Sequence, residues 1–221
     1  MIETQIEAVE GAGAAVRAVL RSLLEKNVVD ALLVPVKVPG GSVAPTLVRD
    51  PGMIERAAPL APVMPINAAR AVQSLTITGH PQKLGVVLRS CEIRALVELV
   101  KFQQAKLDNL LIVGVDCLGT YGVEEWLLAA DKQALIDALL ATAQTGNLAP
   151  ADKMAFRTAC QICDQPVPAG DHVALTIGLL GVEHGCLYLK ARDDIAQALG
   201  LSENDHPATR DHAVNTLVDA R

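Results

Sequence analysis

Residues 84–91 read LGVVLRSC and residues 110–117 read LLIVGVDC. Each begins as a short apolar run rich in Val and Ile, the pattern of a strand buried on both faces, and each ends on a cysteine. Between them, residues 92–107 place Ile93, Leu96, Val97 and Val100 at helical spacing. Strand, helix, strand in that order predicts a parallel βαβ unit. Cys91 and Cys117 are 26 residues apart, one such repeat. If the strands are neighbours or next-neighbours, the two thiols lie roughly 5–10 Å apart beyond the carboxyl ends of the strands. Open α/β sheets bind their ligands at that edge.

Outward from this unit, residues 4–26 have the spacing of one amphipathic helix, and residues 31–38 (ALLVPVKV) read as a strand. Pro35 points to an edge or a bulge there. Residues 39–51 (PGGSVAPTLVRDP) are rich in breakers and read as a loop. Short helices are predicted at 52–58 and 68–75, a longer one at 124–143, and a linker at 147–152. The last third offers strands at 173–177 and 186–190 and helices at 193–199 and 208–218. The expectation is a mixed, largely parallel α/β sheet with flanking helices. Residues 1–221 form a single domain in this reading, with 150–221 as a candidate smaller lobe.

The chain of 221 residues is 51% hydrophobic and 20% charged, enough to bury a sizeable core and too apolar for disorder. Nineteen Lys and Arg against 25 Asp and Glu leave no basic run for a phosphate backbone. One Trp, two Tyr and two Phe offer no stacking platform for bases, so nucleic acid is excluded as a partner class. No apolar stretch approaches the roughly 18–20 residues a membrane span needs. The acidic start MIETQIEAVEG is unlike a secretory signal, so no membrane insertion and a cytoplasmic location are expected. Five cysteines in such a chain point to reduced or metal-bound thiols.

A C-x-x-C pair, Cys160 and Cys163 in RTACQICDQP, completes a set of four thiolates with Cys91 and Cys117. Two thiolates at this spacing chelate one metal ion or two irons of one cluster, and a four-sulfur site suits zinc and iron–sulfur alike. Cys186, in GCLYLK, reads as a buried core thiol. Arg89 and Arg94 flank Cys91, where positive charge favours a thiolate or an anionic cofactor. Asp116 and Asp164, next to cysteines, read as caps of helices or turns. Gly40-Gly41-Ser42 after a strand could let backbone N–H groups approach a phosphate. Gly11-Ala12-Gly13 imitates a dinucleotide fingerprint but is set aside, because no strand is expected before it and Val16 stands where glycine is needed. His80, His172, His184, His206 and His212 show no ligand-pair spacing.

Three cysteine blocks, LRSCEIRALVELVK, NLLIVGVDCLGTY and RTACQICDQPVPAGDHVALTIG, together resemble the beta subunits of coenzyme F-420-reducing hydrogenases and formate dehydrogenases, closest to the formate dehydrogenase type. VPGGSVAPTLVRDP and APVMPINAARAV fit the same pattern, so the resemblance covers most of the chain. It implies an oxidoreductase subunit, an iron–sulfur flavoprotein that moves electrons within a multi-subunit complex. Cys91, Cys117, Cys160 and Cys163 would hold a 4Fe–4S cluster at the carboxyl edge of the sheet. An FAD beside it would exchange hydride with the deazaflavin coenzyme F-420, and Gly40, Ser42, Asn67 and Arg89 are the candidate flavin contacts. The family usually adds a ferredoxin-like module with a C-x-x-C-x-x-C-x-x-x-C-P run. That run is absent from these residues, so a truncated or naturally short form, or clusters supplied by a partner, is expected. The competing reading is a zinc-stabilised, non-catalytic docking domain of a redox complex.

Overall fold

The computed structural model describes residues 1–79, 82–151, 154–204 and 206–221. In chain order the strands are β1 (Ile2–Glu7), β2 (Ala31–Lys37), β3 (Val43–Val48), β4 (Leu84–Arg89), β5 (Leu110–Val115), β6 (Val173–Gly178) and β7 (Cys186–Ala191). The helices are α1 (Ala12–Glu25), α2 (Ala68–Thr76), α3 (Ser90–Lys101), α4 (Val123–Leu128), α5 (Lys132–Ala143), α6 (Thr158–Gln161), α7 (Asp193–Leu199) and α8 (Arg210–Asp219), with a short 3-10 helix at Pro51–Arg56.

Among the described residues the strands form one seven-stranded sheet in the order β1-β7-β6-β5-β4-β2-β3. β2, β4, β5 and β6 are parallel, while β3 and β7 run against their neighbours. β1 is antiparallel to β7 and therefore ends at the same edge as the central four. The expected mixed, largely parallel sheet with flanking helices is what the chain adopts. β6 and β7, from residues beyond 150, belong to this same sheet.

Side-chain alternation divides the core between the two faces. Leu32, Val34, Val87, Val113 and Val115 pack with Val16, Leu20 and Leu23 of α1. Leu33, Val86, Leu88 and Ile112 face Val72 of α2 and Ile93 and Leu96 of α3. Every residue of β4 is buried, which is why it carries no polar alternation. No helix among the described residues is long and apolar enough to cross a membrane.

Several expected boundaries are corrected. Residues 4–26 are not one helix: Gly11, at φ 87°, separates β1 from α1. Ile2 and Ile6 pack on the core from a strand, whereas Val9, which helical spacing had placed on the apolar face, is 87% exposed. The loop at 39–51 contains β3, the hairpin partner of β2. β2 is thus an inner strand, and Pro35 is tolerated because its pairing with β4 ends at Leu33. Pro35 stands opposite Pro45 on the edge strand, a position that asks neither for an N–H. The helix at 124–143 is two helices. The Asp131 carboxylate accepts from Ala134 N–H at 2.9 Å to start α5, and the Lys132 ammonium donates to the Ala129 carbonyl at 3.0 Å to close α4.

A buried ion pair ties the last helix to the carboxyl edge. Arg210, the first residue of α8, donates to both oxygens of Asp116 at 2.7 and 3.0 Å. The Asp116 side chain is fully buried and that of Arg210 is 8% exposed. Asp116 also accepts the N–H groups of Leu179 and Leu180 at 2.8 and 3.0 Å, just past β6. The guanidinium lies 4.7 Å from the centre of the Tyr188 ring and donates to the Leu180 carbonyl. Gly178 leaves room for it: a Cβ there would stand 2.7 Å from an Arg210 nitrogen. Removing one partner leaves the other charge buried alone. Arg210→Ala is therefore expected to cost about 3–5 kcal/mol in urea unfolding. A loss within ~0.5 kcal/mol, the range of an ordinary surface substitution, would contradict this.

Candidate functional site

Arg89 and Val115 close the register of β4 and β5, and each is followed two residues later by a cysteine. Cys91 sits in the first turn of α3 and Cys117 in the loop after β5. The segment that carries Cys160 and Cys163 folds back over that loop. Arg157 N–H donates to the Thr120 carbonyl and Cys117 N–H to the Pro166 carbonyl, both at 2.8 Å. The Thr120 hydroxyl lies 3.1 Å from the Cys160 sulfur. Gly119, at φ 110°, makes the turn between Cys117 and Thr120, and a Cβ there would press on the Phe156 ring at 3.1 Å. Tyr121, Trp126 and Phe156, three of the five aromatic residues, close the region from the side, with Cys160 packed partly against them.

The thiols share one electrostatic neighbourhood. Burial pushes the Cys91 thiol up to about 12, with Cys117, Glu92 and Cys160 adding to the rise and Arg89 opposing it. Burial also raises Cys117, which is opposed by Arg89 and by a hydrogen bond from the Gly119 N–H. Without a metal these two thiols hold their protons at neutral pH, and a metal binding there must displace them. Cys163 follows on the same segment as Cys160, half-buried. Among the described residues no three His, Cys, Asp or Glu side chains stand grouped as metal ligands.

Arg89 is 8% exposed, and its guanidinium donates to the carbonyls of Ala61 and Val63 in the segment before α2. No carboxylate pairs with it among the described residues. Glu92, also buried, joins two helix starts. One carboxylate oxygen accepts Ala68 N–H of α2 at 2.8 Å and the other Arg89 N–H at 3.0 Å. A carboxylate at two helix N-termini meets the positive end of both dipoles.

Of the expected flavin contacts, Asn67 accepts from Ala69 N–H at 3.0 Å as the cap of α2, and Glu92 links that helix start to Arg89. Gly40 and Ser42 stand elsewhere, at the tip of the β2–β3 hairpin, where Trp126 donates to the Gly41 carbonyl at 3.0 Å. Arg94 and Asp164 are exposed, and Asp116 is the buried ion-pair partner rather than a cap. Cys186 is half-buried, not a core thiol, and lines a cleft of about 440 Å³. A second cleft of about 310 Å³ shares Gly11, Ala12, Asp137 and Leu140 with it. A strand does precede Gly11-Ala12-Gly13, contrary to expectation, and the turn lines both clefts, although Val16 still departs from the fingerprint. Neither cleft is lined by the four cysteines at issue. His80 and Asp152 lie outside the described residues. Glu92, Thr120 and Arg210 went unnoticed in the sequence; only Glu92, three residues after the N-cap Arg89, carried a capping signal.

No family profile matches the chain. A curated relative, the F420-dependent formate dehydrogenase 1 subunit beta of Methanococcus maripaludis, is 32% identical over 111 residues, 49% of this chain and 27% of the relative. The match thus spans about a quarter of that relative's length. Among solved structures, one from the F420-reducing NiFe hydrogenase complex of Methanosarcina barkeri gives a TM-score of 0.62 over 99% of this chain and 88% of that one. At 13% identity that likeness shows the fold. The resemblance drawn from the cysteine blocks is borne out: the curated relative is a beta subunit of the type they resemble.

Glu92→Ala strands two buried N–H groups, each worth roughly 1–3 kcal/mol when left without a partner. Urea unfolding should show a loss of at least that size, and unchanged stability would contradict the role given to Glu92.

Proposed function

We propose that the chain is an electron-transfer subunit of a formate dehydrogenase- or hydrogenase-like complex. In this reading Cys91, Cys117, Cys160 and Cys163 hold a 4Fe–4S cluster, with FAD bound nearby and coenzyme F-420 or a partner subunit as the exchange partner. The observation that carries it is the convergence of Cys91, Cys117 and Cys160, from three separate segments, into one electrostatic neighbourhood at the carboxyl edge.

The donor set fits such a group. Four thiols supply the ligands a cluster requires; the Gly119 N–H already donates to the Cys117 sulfur, and the Thr120 hydroxyl lies within hydrogen-bond reach of the Cys160 sulfur. A single zinc ion needs its four ligands within about 2.3 Å of one centre, whereas a cluster spreads its thiolates over separate irons. The clefts beside α1 open at the same sheet edge, but none of Gly40, Ser42, Asn67 and Arg89 lines them.

When bound, a cluster passes electrons singly and a flavin exchanges them as hydride, so the pair joins the two kinds of traffic. The chain's own residues prepare the edge. Glu92 holds the starts of α2 and α3 together, Arg89 brings a buried positive charge beside two thiols, and the aromatic group limits access of water.

Cys160→Ser and Cys163→Ser, each purified without oxygen, should lose the iron that the unaltered protein carries. Full iron retention in both would overturn the ligand assignment.

A further inference from the structure

Thr120 is 1% exposed, and its hydroxyl lies 3.1 Å from the Cys160 sulfur. Its carbonyl accepts from Arg157 N–H, so backbone pairing holds the residue beside the C-x-x-C segment. A metal-bound thiolate carries no proton. The hydroxyl must then be the donor, and a donor aimed at sulfur stabilises the more negative, reduced form of a sulfur-ligated centre. Arg89 acts in the same sense: a buried guanidinium, held by two carbonyls and lacking a carboxylate partner among the described residues, has its charge left for whatever anion occupies the edge.

We propose that Thr120 is a positioning residue that holds Cys160 through its hydroxyl and, together with Arg89, raises the reduction potential of the sulfur-ligated centre. The inference rests on the cluster reading given above. The step concerned is the uptake of one electron from a low-potential reductant, with no bond made or broken in the protein. Thr120 is the cleaner probe, because valine matches its shape and removes only the hydroxyl.

The test is a redox titration of the whole, anaerobically purified protein with dithionite, followed by electron paramagnetic resonance, with iron measured in each sample. Thr120→Val should make one-electron reduction about tenfold less favourable, a shift of about 59 mV to more negative potential, and Thr120→Ser should restore the original value. Arg89→Gln should shift the potential in the same direction and Arg89→Lys should not. Iron lost from Thr120→Val but kept in Thr120→Ser also supports the hydroxyl's hold on Cys160. An unchanged potential in Thr120→Val, or a defect that serine does not rescue, overturns the proposal. An unaltered protein without iron overturns instead the cluster reading, and this inference falls with it.

Discussion

The Asp116–Arg210 pair holds the carboxyl edge in place. Asp116 is the residue after β5 and precedes Cys117, and its carboxylate is shared between Arg210 of α8 and two N–H groups just past β6. Desolvation opposes the guanidinium charge, and the attraction and hydrogen bonds of Asp116 outweigh it, leaving the Arg210 pKa above the usual arginine value. One interaction thereby determines where β5 ends, how β6 continues and where the last helix begins. Apolar residues could fill the same space, but they would not aim the following loop.

With that loop set, the remaining pieces assemble on it. Cys117 N–H and the Thr120 carbonyl receive the C-x-x-C segment, while Val63, from the chain before α2, pairs with Tyr121 on the other side. Arg89 fastens this chain through the carbonyls of Ala61 and Val63, and Glu92 fastens α2 to α3. The result is a low-dielectric edge where uncharged thiols are favoured until a cation arrives. Binding there is coupled to proton release, and its strength is set by how well the surrounding donors suit the bound state.

Much of this was readable in the sequence where burial is two-sided. β4 and β5 emerged with small boundary errors because apolar runs buried on both faces leave few alternatives, whereas α3 ends at Lys101 rather than at residue 107, since Gln103 turns the chain at φ 58°. β1 did not, since Ile6 and Val9 fit helical spacing by chance and only Gly11 marks the break. β3 was hidden by Pro45, which signals a loop until its edge position is known. The four cysteines were recognisable by type and by their places after strands. Their neighbours were not: Asp116 and Arg210 lie 94 residues apart, and Thr120 and Cys160 lie 40 apart, with no local pattern joining them. Contacts made only after the sheet has formed leave no periodic trace.

The most direct test is the composition of the unaltered protein purified without oxygen, with iron, acid-labile sulfide, zinc and flavin measured together with the visible spectrum. The account predicts about four irons and about four sulfides per chain, a broad band near ~400 nm, and bound flavin. A colourless protein with one zinc per chain and neither iron nor flavin would contradict it, and would make the four cysteines a structural site.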